Sequence, residues 1–382
     1  MSEQTAKGRG MFNGTPQYDN FCRMHDLVPT NRLEPSTRPR PWPTGTPLDL
    51  PESFAFDGQS RSSEALFTET DTSALLVLHD GQVRHERYAL TGGPEVPWLS
   101  MSVAKSFIST LVGIALGEGH FNSIDEPISR YVPVEPGSAY DGVTIKQVLH
   151  MSSGARWNED YGDRQSDITR LVAASNGKDG SNLDQFIASM VRESEPDVIC
   201  RYNSAETQVL GALIKHTTGE SITDYMQQRL CEPLGFASPG YWMVDATGME
   251  HAFGGLNLAA RDFARIGELF RNGGRWHGTQ IVPEQWVRDS TSVDDPIREP
   301  GNPVVGGHSF DLGYGYQWWI PSGDRGEFMG IGVYNQFVYV DPTAKVTIVK
   351  LSANPRYGLS EDESDSRIME SIAFFRAIAA QY

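Results

Sequence analysis

The chain changes character at Ser73. Ahead of it, residues 1–60 are crowded with Pro, Thr, Arg and Gly, as in Pro35-Ser36-Thr37-Arg38-Pro39-Arg40-Pro41-Trp42-Pro43, and supply no periodic apolar face. Such a segment is an arm laid over the body or a partly disordered leader. Ala74-Leu75-Leu76-Val77-Leu78 is then an apolar run of strand length, His79-Asp80-Gly81-Gln82 carries an Asp-Gly turn signal, and 83–88 returns in alternation. That pattern predicts a β-hairpin. Over 103–116, Phe107, Leu111, Ile114 and Ala115 recur at i, i+4, i+7 and i+8, and Gly117 and Gly119 end the pattern. This is one face of a buried helix with Ser102 at its N-terminus.

From 121 to 240, helical patterns at 145–151, 183–192, 207–216 and 222–230 alternate with polar loops and no clear strand. Beyond 250 come a helix at 259–272 closed by Gly273-Gly274, β-like runs at 315–320, 330–340 and 345–352, and a last helix at 366–380. Strands at both ends around a helical middle predict an α/β (α+β) fold: an antiparallel sheet flanked by helices and formed by both chain ends, with an all-helical domain inserted. The implied division is an N-terminal arm over 1–60, an α/β domain from 61–120 and 241–382, and the helical insertion over 121–240.

Composition narrows the function classes. A chain of 382 residues, 39% hydrophobic, can bury a large core. No apolar run approaches the ~20 residues that span a bilayer, and residues 1–16 lack an apolar signal segment, so a cytoplasmic protein is expected. The formal net charge of −17 disfavours nucleic acid and anionic membranes as partners. Three cysteines, Cys22, Cys200 and Cys231, fit neither a zinc site nor a disulfide framework. No Walker loop, H-E-x-x-H or helix-opening G-x-G-x-x-G occurs, so no cofactor or metal is expected, and the absence of G-x-S-x-G removes the α/β-hydrolase elbow.

What remains is Ser102-Val103-Ala104-Lys105, an S-x-x-K motif. Residues three apart share a helix face, so the Lys105 amine comes to the Ser102 hydroxyl, and a serine needs such a base to become a nucleophile. The first helical turn adds backbone N–H groups suited to an oxyanion. The bare pattern also arises by chance: Ser175-Asn176-Gly177-Lys178 repeats it in a polar loop, and Ser102 could be a plain N-cap. Cys200-Arg201-Tyr202-Asn203-Ser204 precedes another helical pattern. Tyr202 is there either a packing residue or, if a nearby lysine lowers its pKa, a proton shuttle.

A series of segments in order resembles the serine β-lactamase-like superfamily, which holds class C β-lactamases, related esterases and D-amino-acid peptidases, and most closely the 6-aminohexanoate-dimer hydrolases. They are Leu99-Ser100-Met101-Ser102-Val103-Ala104-Lys105-Ser106, the run 143–154 from Val143-Thr144-Ile145 to Ser153-Gly154, Asn158-Glu159-Asp160-Tyr161, Tyr202-Asn203-Ser204-Ala205, Gly254-Gly255-Leu256, Ala260-Arg261-Asp262, Tyr314-Gly315-Tyr316-Gln317-Trp318-Trp319 and Gly330-Ile331-Gly332. The similarity runs from about Ala74 to the C-terminus.

The resemblance implies a class C β-lactamase-like fold and a serine hydrolase working through an acyl-enzyme. Ser102 would be the nucleophile, Lys105 its base, and Tyr202 the relay to the leaving group. The N–H groups of Ser102 and Ile331 would form the oxyanion hole, and Tyr161 would close over the substrate and bind the scissile nitrogen. Two departures matter. The family's Tyr-x-Asn ends here in Ser204, as in the oligomer hydrolases, and the cation-bearing Lys/His-Thr-Gly strand becomes Phe328-Met329-Gly330, so a β-lactam loses its charge anchor.

Tyr161, Phe253, Trp318, Trp319, Phe328 and Met329 suggest an apolar acyl pocket. The expected partner is a small amide or ester, with a homodimer left open. A carboxylesterase for short acyl esters and a catalytically silent binding relative are the alternatives.

Overall fold

The computed structural model describes residues 16–177, 180–359 and 362–382. Its main sheet has seven strands: β1 (Thr72–His79), β2 (Gln82–Tyr88), β3 (Leu312–Tyr314), β4 (Trp319–Pro321), β5 (Phe328–Gly332), β6 (Gln336–Asp341) and β7 (Val346–Ser352). Their order is β3-β4-β5-β6-β7-β1-β2, antiparallel throughout, so β7 and β1 join the two parts of the chain, with His79 opposite Val346. The β1–β2 turn places Asp80 and Gly81 at positive φ, 47° and 73°, the backbone that an Asp-Gly hairpin turn requires.

Alternation along the strands divides the core. Leu76, Leu78, Val338, Val340, Val349 and Leu351 face the helical side of the sheet, where α1 (Ala104–Gly117) is backed by α2 (Ser204–Thr218) and α3 (Ala260–Arg271) lies on the strands. Leu75, Val77, Phe337, Tyr339 and Ile348 face the last helix, α4 (Ile368–Ala379). Helix α1 is apolar nearly all round because it runs through the interior: Phe107, Ile108, Leu111 and Val112 are fully buried.

Three expected elements are broken by residues that leave ordinary backbone geometry. The run at 330–340 is two strands, because Tyr334 and Asn335 at φ 64° and 69° turn the chain back. The run at 315–320 is interrupted by Gln317 at φ 62°. Its amide side chain points inward, accepting from Thr207 Oγ1 at 2.6 Å and donating to the Leu149 carbonyl at 2.9 Å. The helix at 366–380 begins only at Ile368, after Arg367 at φ 53°.

Between Ser100 and Pro239 the described residues form no named strand. The helix Asp167–Ser175 was not anticipated, and Ser175, expected in a loop, ends it. Lys178 lies outside the described residues. Residues 1–15 of the arm lie outside the described residues; from Pro16 on it is more ordered than its composition suggests: Phe21, Met24 and Leu33 are buried, and Thr30–Leu33 pairs with Gly240–Met243 in a second, four-stranded sheet.

Candidate active site

That second sheet ends in Trp98–Leu99, paired with Leu258 and Asn257, and the next residues form the turn that carries Ser102. Met101 sits at φ 47°, rare for a residue with a side chain, and the 3₁₀ turn Met101–Val103 runs directly into α1. Strand β5 approaches this turn so closely that a Cβ on Gly332 would lie 2.6 Å from the Ser100 carbonyl oxygen and 3.0 Å from the Ser102 nitrogen. Gly332→Ala is therefore expected to push the Ser102 turn off the strand, with any activity that depends on this turn falling about a hundredfold and far more than stability. Parallel measurement of kcat/KM and the unfolding midpoint checks this.

Lys105, one turn into α1, is completely buried, and its Nζ lies 3.0 Å from Ser102 Oγ, 3.1 Å from Ser204 Oγ and 2.7 Å from the Phe253 carbonyl oxygen. Burial lowers its pKa from 10.5 to about 8, against the opposing pull of Glu159. Tyr202 is held by Asn203, which caps α2 by accepting from the Ala205 N–H. Its ring stacks on Trp319, 5.2 Å between centroids, and passes 5.1 Å from Lys105 Nζ, with its hydroxyl directed at Ser102. Burial, together with Glu159, keeps that phenol well above its ordinary pKa. The buried lysine is thus suited to accept a proton near neutrality, while the tyrosine is held in its protonated phenol form.

Glu159 had no role assigned from sequence. Its Oε2 accepts from Trp157 Nε1 and from the Ser204 N–H at 3.2 Å; its Oε1 accepts from Ser204 Oγ at 2.7 Å and Tyr161 Oη at 2.8 Å. The signal was present as period two: in extended backbone Trp157, Glu159 and Tyr161 fall on one side. Tyr161 is 43% exposed, so its ring stands at the rim while its hydroxyl turns in to the carboxylate.

Of the residues expected at the site, Ser102, Lys105, Tyr202, Ser204 and Tyr161 come together. Ile331 brings its backbone beside the Ser102 turn, between Gly330 and Gly332. Strand β4 pairs with β5 only at Trp319–Met329, which leaves the β5 edge beyond Met329 uncovered by β4. Phe328 is a core residue instead: its ring packs edge-on against Trp318 at 5.3 Å and beside Phe270, on the α1–α3 side of the sheet. Trp318 and Met329 are likewise fully buried. Among the described residues, no group of three or more His, Cys, Asp or Glu is placed to hold a metal ion, and no helix is long and apolar enough to cross a membrane.

A beta-lactamase family profile matches residues 64–373. The chain belongs to the beta-lactamase family. This family member is a serine hydrolase. It is 32% identical over 343 residues to the 6-aminohexanoate-dimer hydrolase of Paenarthrobacter ureafaciens, an alignment covering 88% of this chain and 85% of that one. Its fold matches a Bacillus anthracis protein that carries the same name provisionally, with a TM-score of 0.85, 22% identity and coverage of 97% and 96%. A hydrolase with promiscuous acyltransferase activity matches with a TM-score of 0.63 and 16% identity over 83% and 96% of the two chains.

Proposed function

We propose that this beta-lactamase-family enzyme hydrolyses small amides through a Ser102 acyl-enzyme, most like a 6-aminohexanoate-oligomer amidase. The observation that carries the reading is the buried Lys105 amine 3.0 Å from Ser102 Oγ. Ser102 Oγ attacks the substrate carbonyl as its proton passes to Lys105, and the oxyanion is met by the N–H groups of Ser102 and Ile331. Collapse breaks the C–N bond, and Tyr202, kept protonated by its environment, supplies the leaving amine with its proton. Lys105 then passes the serine's proton to Tyr202, and water attacks the acyl carbon with the neutral Lys105 amine as base, which returns the proton to Ser102 as the acid leaves.

Leaving-group protonation matters for an amine and little for an activated ester, so a retained tyrosine donor favours amide cleavage. The relative's activity points the same way. With Phe328 turned into the core where related enzymes carry a cation, β-lactam turnover is expected to be near background.

The test compares hydrolysis of the linear 6-aminohexanoate dimer, a p-nitrophenyl short-chain ester and a chromogenic cephalosporin. Dimer cleavage is the expected result. Cleavage of the ester alone would replace the amidase with a carboxylesterase, a reading favoured by the likeness to the acyltransferring hydrolase. In the same assay Tyr161→Phe is expected to lower amide turnover about tenfold, the worth of one hydrogen bond, and ester turnover much less.

A further inference from the structure

A neutral lysine amine has two N–H groups and one lone pair. The Phe253 carbonyl oxygen, 2.7 Å away, can only accept. Ser204 Oγ could accept or donate, but its single hydrogen is committed to Glu159 Oε1 at 2.7 Å, so toward Lys105 it too accepts. Two acceptors fix both N–H groups, and the lone pair is left facing Ser102 Oγ. Glu159 can hold Ser204 this way because every group on its carboxylate is a donor: the Trp157 indole and Ser204 N–H on one oxygen, the Ser204 and Tyr161 hydroxyls on the other.

We propose that Glu159 is a positioning residue for hydrolysis: through the hydrogen of Ser204 it aims the Lys105 lone pair at Ser102. The inference rests on the Ser102–Lys105 reading given above. The titratable groups around the lysine are Glu159, from the 157–161 segment, and Tyr202, ahead of α2; Tyr161 and Tyr357 reach Glu159 in turn.

Glu159→Gln keeps shape and reverses polarity. The Trp157 and Ser204 N–H groups can only donate, so they claim the amide oxygen and leave the amide nitrogen facing the two hydroxyls. Ser204 must then accept from that amide nitrogen and turn its own hydrogen onto Lys105, occupying the lone pair that Ser102 needs. Loss of the negative charge also removes the pull that raises the lysine's pKa.

The experiment measures the rate at which a fluorophosphonate labels Ser102, from pH 5 to 10, a reaction in which the P–O bond forms, fluoride leaves and the serine proton goes to Lys105. It needs no natural substrate. Glu159→Gln is expected to lower the plateau rate on the order of a hundredfold and to move the acid limb to lower pH. Ser204→Ala is expected to lower the plateau with the limb in place, and adding Glu159→Gln to it should cost less than about threefold more. An unmoved limb in Glu159→Gln with losses that simply multiply would overturn the inference and leave the hydrolase reading intact. Should that variant not fold, a wild-type labelling rate in Ser204→Ala overturns it alone. Wild-type protein that is never labelled at Ser102 overturns both.

Discussion

Ser102→Ala is expected to remove turnover of every substrate the enzyme accepts, by about 10⁴-fold or more, and to leave the fold in place. The substitution deletes one oxygen from a turn whose backbone is fixed by the Trp98–Leu99 strand, the Ser100–Leu256 hydrogen bond of 2.7 Å and the Gly332 contact. None of these depends on the hydroxyl. Steady-state kinetics beside thermal unfolding checks it; a variant within tenfold of wild type would place the nucleophile elsewhere.

Lys105→Met should be nearly as damaging, on the order of 10³-fold, for a different reason. The nucleophile remains but nothing takes its proton. Methionine fills a similar volume but leaves the Phe253 carbonyl and the Ser204 hydroxyl without their donor, so the variant should lose about 1–3 kcal/mol of stability and still fold. The pH profile separates this loss from misfolding. Burial disfavours the ammonium form, so wild-type kcat/KM should climb as pH rises through about 8, where the lysine loses its proton. The residual activity of Lys105→Met should lack that limb. If both profiles rise together through the same pH, the titrating base is another group.

The parts of this molecule that were legible in sequence are those decided within one turn or one strand. The β1–β2 hairpin, the apolar α1 and the three-residue offset from Ser102 to Lys105 depend on near neighbours, and the structure places all three where the pattern does. What was hidden depends on residues far apart. Thr30–Leu33 becomes a strand only because Gly240–Met243 lies beside it. Phe328 reads as pocket material until the pleat of β5 turns it toward Trp318 and Phe270. Tyr334 bears no sign that it will adopt a left-handed backbone. Glu159 looks like any loop acid, because the four donors that define it come from Trp157, Tyr161 and, across the fold, Ser204.

The pairing of β7 with β1 sets a timetable for synthesis. Hairpin β1–β2 and helix α1 leave the ribosome early, yet the strands that flank and cover them lie beyond residue 312, with Val346 the partner of His79. Until those strands emerge, the faces of α1 and β1 destined for the core stay open to solvent or to chaperones, a long wait of the kind that slows folding and invites aggregation. The same late strands include β5, which presses on the Ser102 turn. A nascent or C-terminally truncated chain therefore carries Ser102 and Lys105 without the wall that shapes them, and catalytic competence arrives only with the last fifth of translation.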